Sequence, residues 1–122
     1  MNASESAYES LATRFWSGLL LRSLSDGCDQ IHVSPIADRY LVRVHDHVGW
    51  RDLHVEGSPD LYDSFVPRLK ALVGYPSSDP IAPPGVRCVL RLASNNEYQV
   101  TVVTRRTEAG GEEVFVELPG SR

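Results

Sequence analysis

A change of hydrophobic period at one glycine constrains this chain more than any other feature. Between residues 8 and 20 the apolar side chains Tyr8, Leu11, Ala12, Phe15, Trp16, Leu19 and Leu20 recur at helical spacing and form one stripe. Beyond Gly27 the period becomes two. Ile31 and Val33 alternate around His32, and Tyr40, Val42 and Val44 share one face of a second run. A stretch of period 3.6 followed by stretches of period 2 demands a helix packed on a sheet.

The remaining punctuation sets an element order. Ser6-Ala7-Tyr8-Glu9 has the spacing of a capping box, so the first helix is expected over residues 7–26, with Gly27 as its left-handed stop. Ser34-Pro35 closes a short first strand. Residues 39–45 and 50–55 read as a hairpin around Asp46-His47-Val48-Gly49. Gly57-Ser58-Pro59-Asp60 opens a second helix, with Ser58 as N-cap and a buried stripe of Leu61, Phe65, Leu69 and Leu72 or Val73 ending at Gly74. Pro67 removes a backbone donor inside this pattern, so a kink or split is expected near residues 63–64. Residues 75–85 carry four prolines and form an irregular loop. Three strands follow at 86–92, 97–105 and 113–118, with turns at Asn95-Asn96 and Ala109-Gly110-Gly111. The predicted class is α+β in the order α-β-β-β-α-β-β-β, with about six mostly antiparallel strands and two main helices.

At 122 residues the chain has room for one domain, with residues 1–6 as a flexible lead and 119–122 as a flexible tail. Met1, just ahead of a capped helix, leads to the expectation of a natural start. The formal charge of -4 argues against a nucleic-acid partner. Residues 1–14 have no basic leader, and the apolar patch at 15–24 is broken by Ser17, Arg22 and Ser23. It is too short to span a bilayer, so no membrane insertion and a cytoplasmic location are expected. Cys28 and Cys88 fit no metal or redox spacing and read as buried small hydrophobes.

Tests for chemistry come out negative. His45 and His47 share an alternation and His54 lies on the partner strand, but a metal centre needs three or four converging ligands, and no C-x-x-C or H-E-x-x-H supports one. The chain has no G-x-S-x-G, and neither cysteine is marked as a nucleophile. Glu112-Glu113, beside two glycines, read as solvated turn residues. The chain lacks G-x-x-x-x-G-K-[ST], so it has no cradle for a triphosphate. Arg105-Arg106 is a pair able to reach an anion or a partner. No catalytic residue, cofactor or metal is predicted.

Gly27-Cys28-Asp29-Gln30-Ile31-His32-Val33-Ser34-Pro35 resembles the motif G-A-S-D-I-H-I-E-P that opens the amino-terminal domain of type II secretion and type IV pilus assembly ATPases. Gly27, Ile31, His32 and Pro35 match; Gln30 and Ser34 depart. The segment 67–74, Pro-Arg-Leu-Lys-Ala-Leu-Val-Gly, is similar to that family's S-R-I-K-V-M-A-G, and 83–87 is a looser echo of P-Q-D-G-R. The resemblance spans about residues 10–118 and leaves out the P-loop motor domain. It implies a PAS-like sheet and a non-catalytic interaction or regulatory domain that docks on a secretion or pilus ATPase, or on another copy of itself. In that family some arginines of the domain reach the neighbouring subunit's nucleotide. By position Arg43 is the first such residue here and Arg87 the second. Val48 in place of the turn Asp, and Glu117 where the family carries a late Arg, point to a changed nucleotide-facing surface. The alternative is a PAS-like small-ligand sensor with His32, Tyr40 and Trp50 around its pocket.

Overall fold

A computed structural model describes residues 3–36, 39–53, 64–91, 96–108 and 110–119. Its elements are α1 (Ala3–Ser25), β1 (Gln30–Ile36), β2 (Arg39–Asp46), β3 (Gly49–Leu53), α2 (Phe65–Val73), β4 (Val86–Arg91), β5 (Glu97–Arg106) and β6 (Glu112–Glu117). The class is α+β in the expected order. The strands form one six-stranded antiparallel sheet in the order β3-β2-β1-β6-β5-β4. Two three-strand meanders are therefore joined at the centre by β1 and β6, the pairing most distant in sequence.

Both helices stop as their glycines require. At the end of α1 the Cys28 N–H donates to Ser23 O at 2.8 Å and the Gly27 N–H to Leu24 O at 3.3 Å. At the end of α2 the Tyr75 N–H donates to Lys70 O at 2.9 Å and the Gly74 N–H to Ala71 O at 3.4 Å. This double bond pattern needs a left-handed residue, and Gly27 and Gly74 sit at φ 77° and 70°.

The helix starts differ from the sequence expectation. α1 begins at Ala3, so Ser6 and Glu9 lie inside the helix and not at its cap, and the supposed lead is helical from residue 3 on. The S-x-x-E spacing is equally compatible with a helix interior. α2 begins at Phe65, just past the split expected near residues 63–64. Pro67 then falls in the first turn, where backbone N–H groups have no intrahelical partner and a missing donor costs little. The capping signal at Ser58 and the apolar Leu61 lie outside the described residues.

β1 runs through Pro35 to Ile36, longer than predicted. Its pairing with β6 ends at Val33↔Val114, so Pro35 sits where no donor is required on that side. Pro35 instead packs on the β5–β6 turn. A Cβ at Gly111 would come within 2.8 Å of Pro35 Cγ, which reserves that position for glycine.

The core lies on one side of the sheet. Ile31, Val33, Val42, Val44, Leu90, Val100, Val102, Val114 and Val116 from alternate strand positions join Trp16, Leu20, Phe65 and Leu69 from the helices. Trp16 is fully buried, and its Nε1–H donates to Phe65 O at 2.7 Å, tying α1 to the start of α2. Phe15 stacks on the Phe65 ring at 4.6 Å. Cys28 and Cys88 are free and buried, and burial raises the Cys88 thiol pKa. Among the described residues, no helix is long and apolar enough to cross a membrane.

Candidate functional site

Strand alternation sends the other half of each strand to the face away from the helices. Register lines these residues up across the sheet. One row reads Asp52, Arg43, His32, Phe115 and Val103, from β3 to β5. The next reads Trp50, His45, Gln30, Glu117, Thr101 and Arg87, from β3 to β4.

His32 is the centre of this face. Its ring lies flat on Phe115 at 4.2 Å with 8° between planes, and Trp50 approaches edge-on at 6.4 Å. Its Nε2 is 3.0 Å from Glu113 Oε2. Glu113 is only 5% exposed and also ion-pairs with Arg105. Burial pushes the Glu113 carboxyl up, but the His32 and Arg105 partners outweigh it and the net direction is downward. The carboxylate is therefore the ionised acceptor, and His32 Nε2 carries the proton it donates. On the adjacent strand His45 Nδ1 donates to Asp29 Oδ1 at 2.7 Å, and the His45 ring lies 5.0 Å from Trp50. Four π systems thus form a continuous strip, with a carboxylate holding each histidine.

The sequence-predicted residues divide. Gly27 is the stop of α1, Ile31 is core and Pro35 packs on Gly111, so of the four motif residues His32 alone belongs to the face away from the helices, uncovered among the described residues. Arg43 is exposed on that face, its Nε donating to Asp52 Oδ1 at 3.0 Å. Arg87 is exposed on β4. Arg105 reaches in to Glu113, whereas Arg106 is exposed and falls on the opposite side by alternation.

The reading of Glu112-Glu113 as solvated is corrected. Glu113 is buried, and Glu112 binds the only lysine, Lys70, at 2.6 Å on the helix side. The two neighbours point to opposite faces because they belong to a strand and not to the turn. Glu113 and Phe115 were missed because only the β1–β6 pairing brings them to His32, and Asp29 because it meets His45 just where β1 begins to pair with β2. Their signal was the alternation of 113–118, which places Glu113, Phe115 and Glu117 together once β6 is paired.

His45 and His47 do not converge: His47 is exposed in the two-residue turn, while His45 faces Asp29. Asp46 holds that turn, accepting from the Val48 N–H at 2.8 Å and the Gly49 N–H at 3.3 Å, which lowers its carboxyl pKa. This is the turn work that the resemblance assigned to an Asp at position 48. His54 lies outside the described residues. Among the described residues no group of three or more His, Cys, Asp or Glu side chains is arranged to hold a metal. Tyr40 packs against Phe65 on the helix side, so it does not meet His32 and Trp50 across the sheet. No family model matches this chain, and no curated protein matches its sequence.

Proposed function

We propose that this chain is a non-catalytic docking domain whose contact surface is the uncovered face of the sheet. The observation that carries this reading is the aromatic strip itself. Phe115, half-buried, lies on the central strand β6 and Trp50, 48% exposed, on the edge strand β3, with the two histidines between them and charges around the strip. An aromatic centre ringed by polar groups is the layout of a protein interface.

The sequence resemblance supports a specific partner, the motor domain of a secretion or pilus ATPase. The surface that fits is apolar at its centre and carries an acidic group opposite Arg87, which has no partner among the described residues. The ligand-sensor alternative loses support, since its three proposed pocket residues lie on both sides of the sheet. Affinity capture of the tagged protein from its native host tests the docking reading. Recovery of a P-loop secretion or pilus ATPase, abolished by Trp50→Ala and weakened by Arg87→Glu, is the expected result. Recovery of such an ATPase that ignores both substitutions would place the contact elsewhere, and its absence would remove the assigned partner.

A further inference from the structure

The sheet is open, so β3 and β4 are its two edges. An edge strand turns every second N–H and C=O away from the sheet, a ready template for one more strand. Folded chains blunt such edges with a proline, a bulge, a charge turned toward the core or a very short strand. β4 carries none of these. It pairs one-to-one with β5 over six residues, with no bulge and no proline. Its charged residues Arg87 and Arg91 are exposed, while Cys88 and Leu90 are buried toward the helices. Among the described residues, no backbone group from outside the sheet bonds to residues 87–91.

The side chains say what the added strand carries. Arg87, Val89 and Arg91 form the exposed row of β4, with the 47% exposed Val89 between two cations. Arg87 has no partner among the described residues. Arg91 has an exposed pair with Glu97 at 3.2 Å, which water screens. A second copy fits poorly: pairing two β4 strands about Val89, in either direction, sets arginine against arginine, and like charges directly opposite are destabilising. The molecule itself shows the match two strands away. In β6, Glu113, Phe115 and Glu117 have the same spacing with the charge reversed. β5 sets Arg105 against Glu113, where the two ion-pair, and Val103 against Phe115.

We infer that the β4 edge takes up an extended segment of a partner protein with the pattern acidic-x-apolar-x-acidic. Its carboxylates meet Arg87 and Arg91, its apolar side chain covers Val89, and its backbone completes the ladder. This goes beyond the docking reading, since it needs neither the aromatic strip nor a motor domain. Arg87 borders both surfaces, whereas Trp50 belongs to the other alone.

The test is an amide NMR titration of the whole chain with the capped peptide S-E-V-F-V-E-S, run beside S-K-V-F-V-K-S. The acidic peptide is expected to shift the amides of residues 87–91 saturably, with the lysine peptide weaker by about tenfold. Arg87→Glu, a change at an exposed side chain, should weaken the acidic peptide and strengthen the lysine peptide by about fivefold each. Trp50→Ala should change neither, which keeps this result apart from the docking face. N-methylation of one alternate set of peptide amides should abolish binding, and of the other set should spare it, as strand addition requires. The inference is overturned by the absence of saturable shifts at residues 87–91, by the lysine peptide binding as tightly as the acidic one, or by Arg87→Glu leaving both affinities unchanged. It is also overturned by loss of binding with Trp50→Ala, by equal effects of the two methylated sets, or by shifts confined to β1 and β5, where the peptide would be replacing β6. Shifts at β4 that grow with protein concentration alone would make a second copy the occupant and overturn the acidic assignment.

Discussion

The six strands present two faces built on different rules. Toward the helices they offer valine, isoleucine and leucine, shielded by Trp16, Leu20, Phe65 and Leu69. Away from the helices they offer His32, Arg43, His45, Trp50, Glu113 and Phe115, joined by hydrogen bonds, ion pairs and ring stacking. The first face gains its stability by removing apolar area from water, which is non-directional and large. The second holds a pattern of charge and aromatic surface in place. That costs specificity in the sequence but returns little stability, because most of it remains wet. The difference separates the side that folds the protein from the side that, among the described residues, no helix covers.

The largest expected effect separates the faces most sharply. Trp16→Ala should cost about 3–5 kcal/mol by denaturant unfolding, through the cavity left and the lost bond to Phe65 O. A cost under about 1 kcal/mol would mean that the helix side is not a packed core.

Glu113 is where the two rules mix, a charged group buried on the uncovered face. Glu113→Ala should cost about 1–3 kcal/mol, since it strips His32 and Arg105 of their shared acceptor. Its depressed carboxyl pKa gives a sign as well. The stabilisation is complete above the group's ordinary value of 4.5 and is lost as pH falls through the lower folded-state value. Acid unfolding curves should therefore show the parent chain losing its advantage over Glu113→Gln below about pH 4.5. A constant difference across that range would mean that Glu113 is not held as an ionised acceptor.

Smaller effects belong to the rim of the same face. Trp50→Ala should cost about 1 kcal/mol or less, despite removing as large a side chain as Trp16→Ala does. Arg43→Ala, which breaks an exposed pair with Asp52, should change stability by no more than about 0.5 kcal/mol. Losses at these positions as large as at Trp16 would erase the distinction between the faces.

Much of the helix side was legible in the sequence. The alternation of Ile31 with Val33 and of Val42 with Val44, and the stops at Gly27 and Gly74, are local signals, and they placed the core and the element order. Element starts were less legible. Ser6 and Glu9 carry a capping pattern that falls inside the longer α1, while Pro67 marked a boundary because its missing donor is a local fact. The uncovered face was legible only in part. His32 was singled out by its motif and Trp50 beside it, but its partners Glu113 and Phe115 come from a strand 81 and 83 residues away. Their meeting depends on the β1–β6 register, which no local pattern encodes. Glu112 and Glu113 show the consequence: adjacent in sequence and alike in charge, they bind partners on opposite sides of the sheet.

The central claim is that the aromatic face, and not the helix surface, makes the contact. Calorimetric titration of the host's purified secretion or pilus ATPase tests it most directly, with the parent chain, Trp50→Ala, and Leu21→Ala as a control. Leu21 is 45% exposed, close to Trp50 in exposure, but lies on α1. The account predicts that Trp50→Ala weakens binding by about tenfold or more while Leu21→Ala leaves it unchanged. Binding that survives Trp50→Ala, or that is lost with Leu21→Ala, would contradict it.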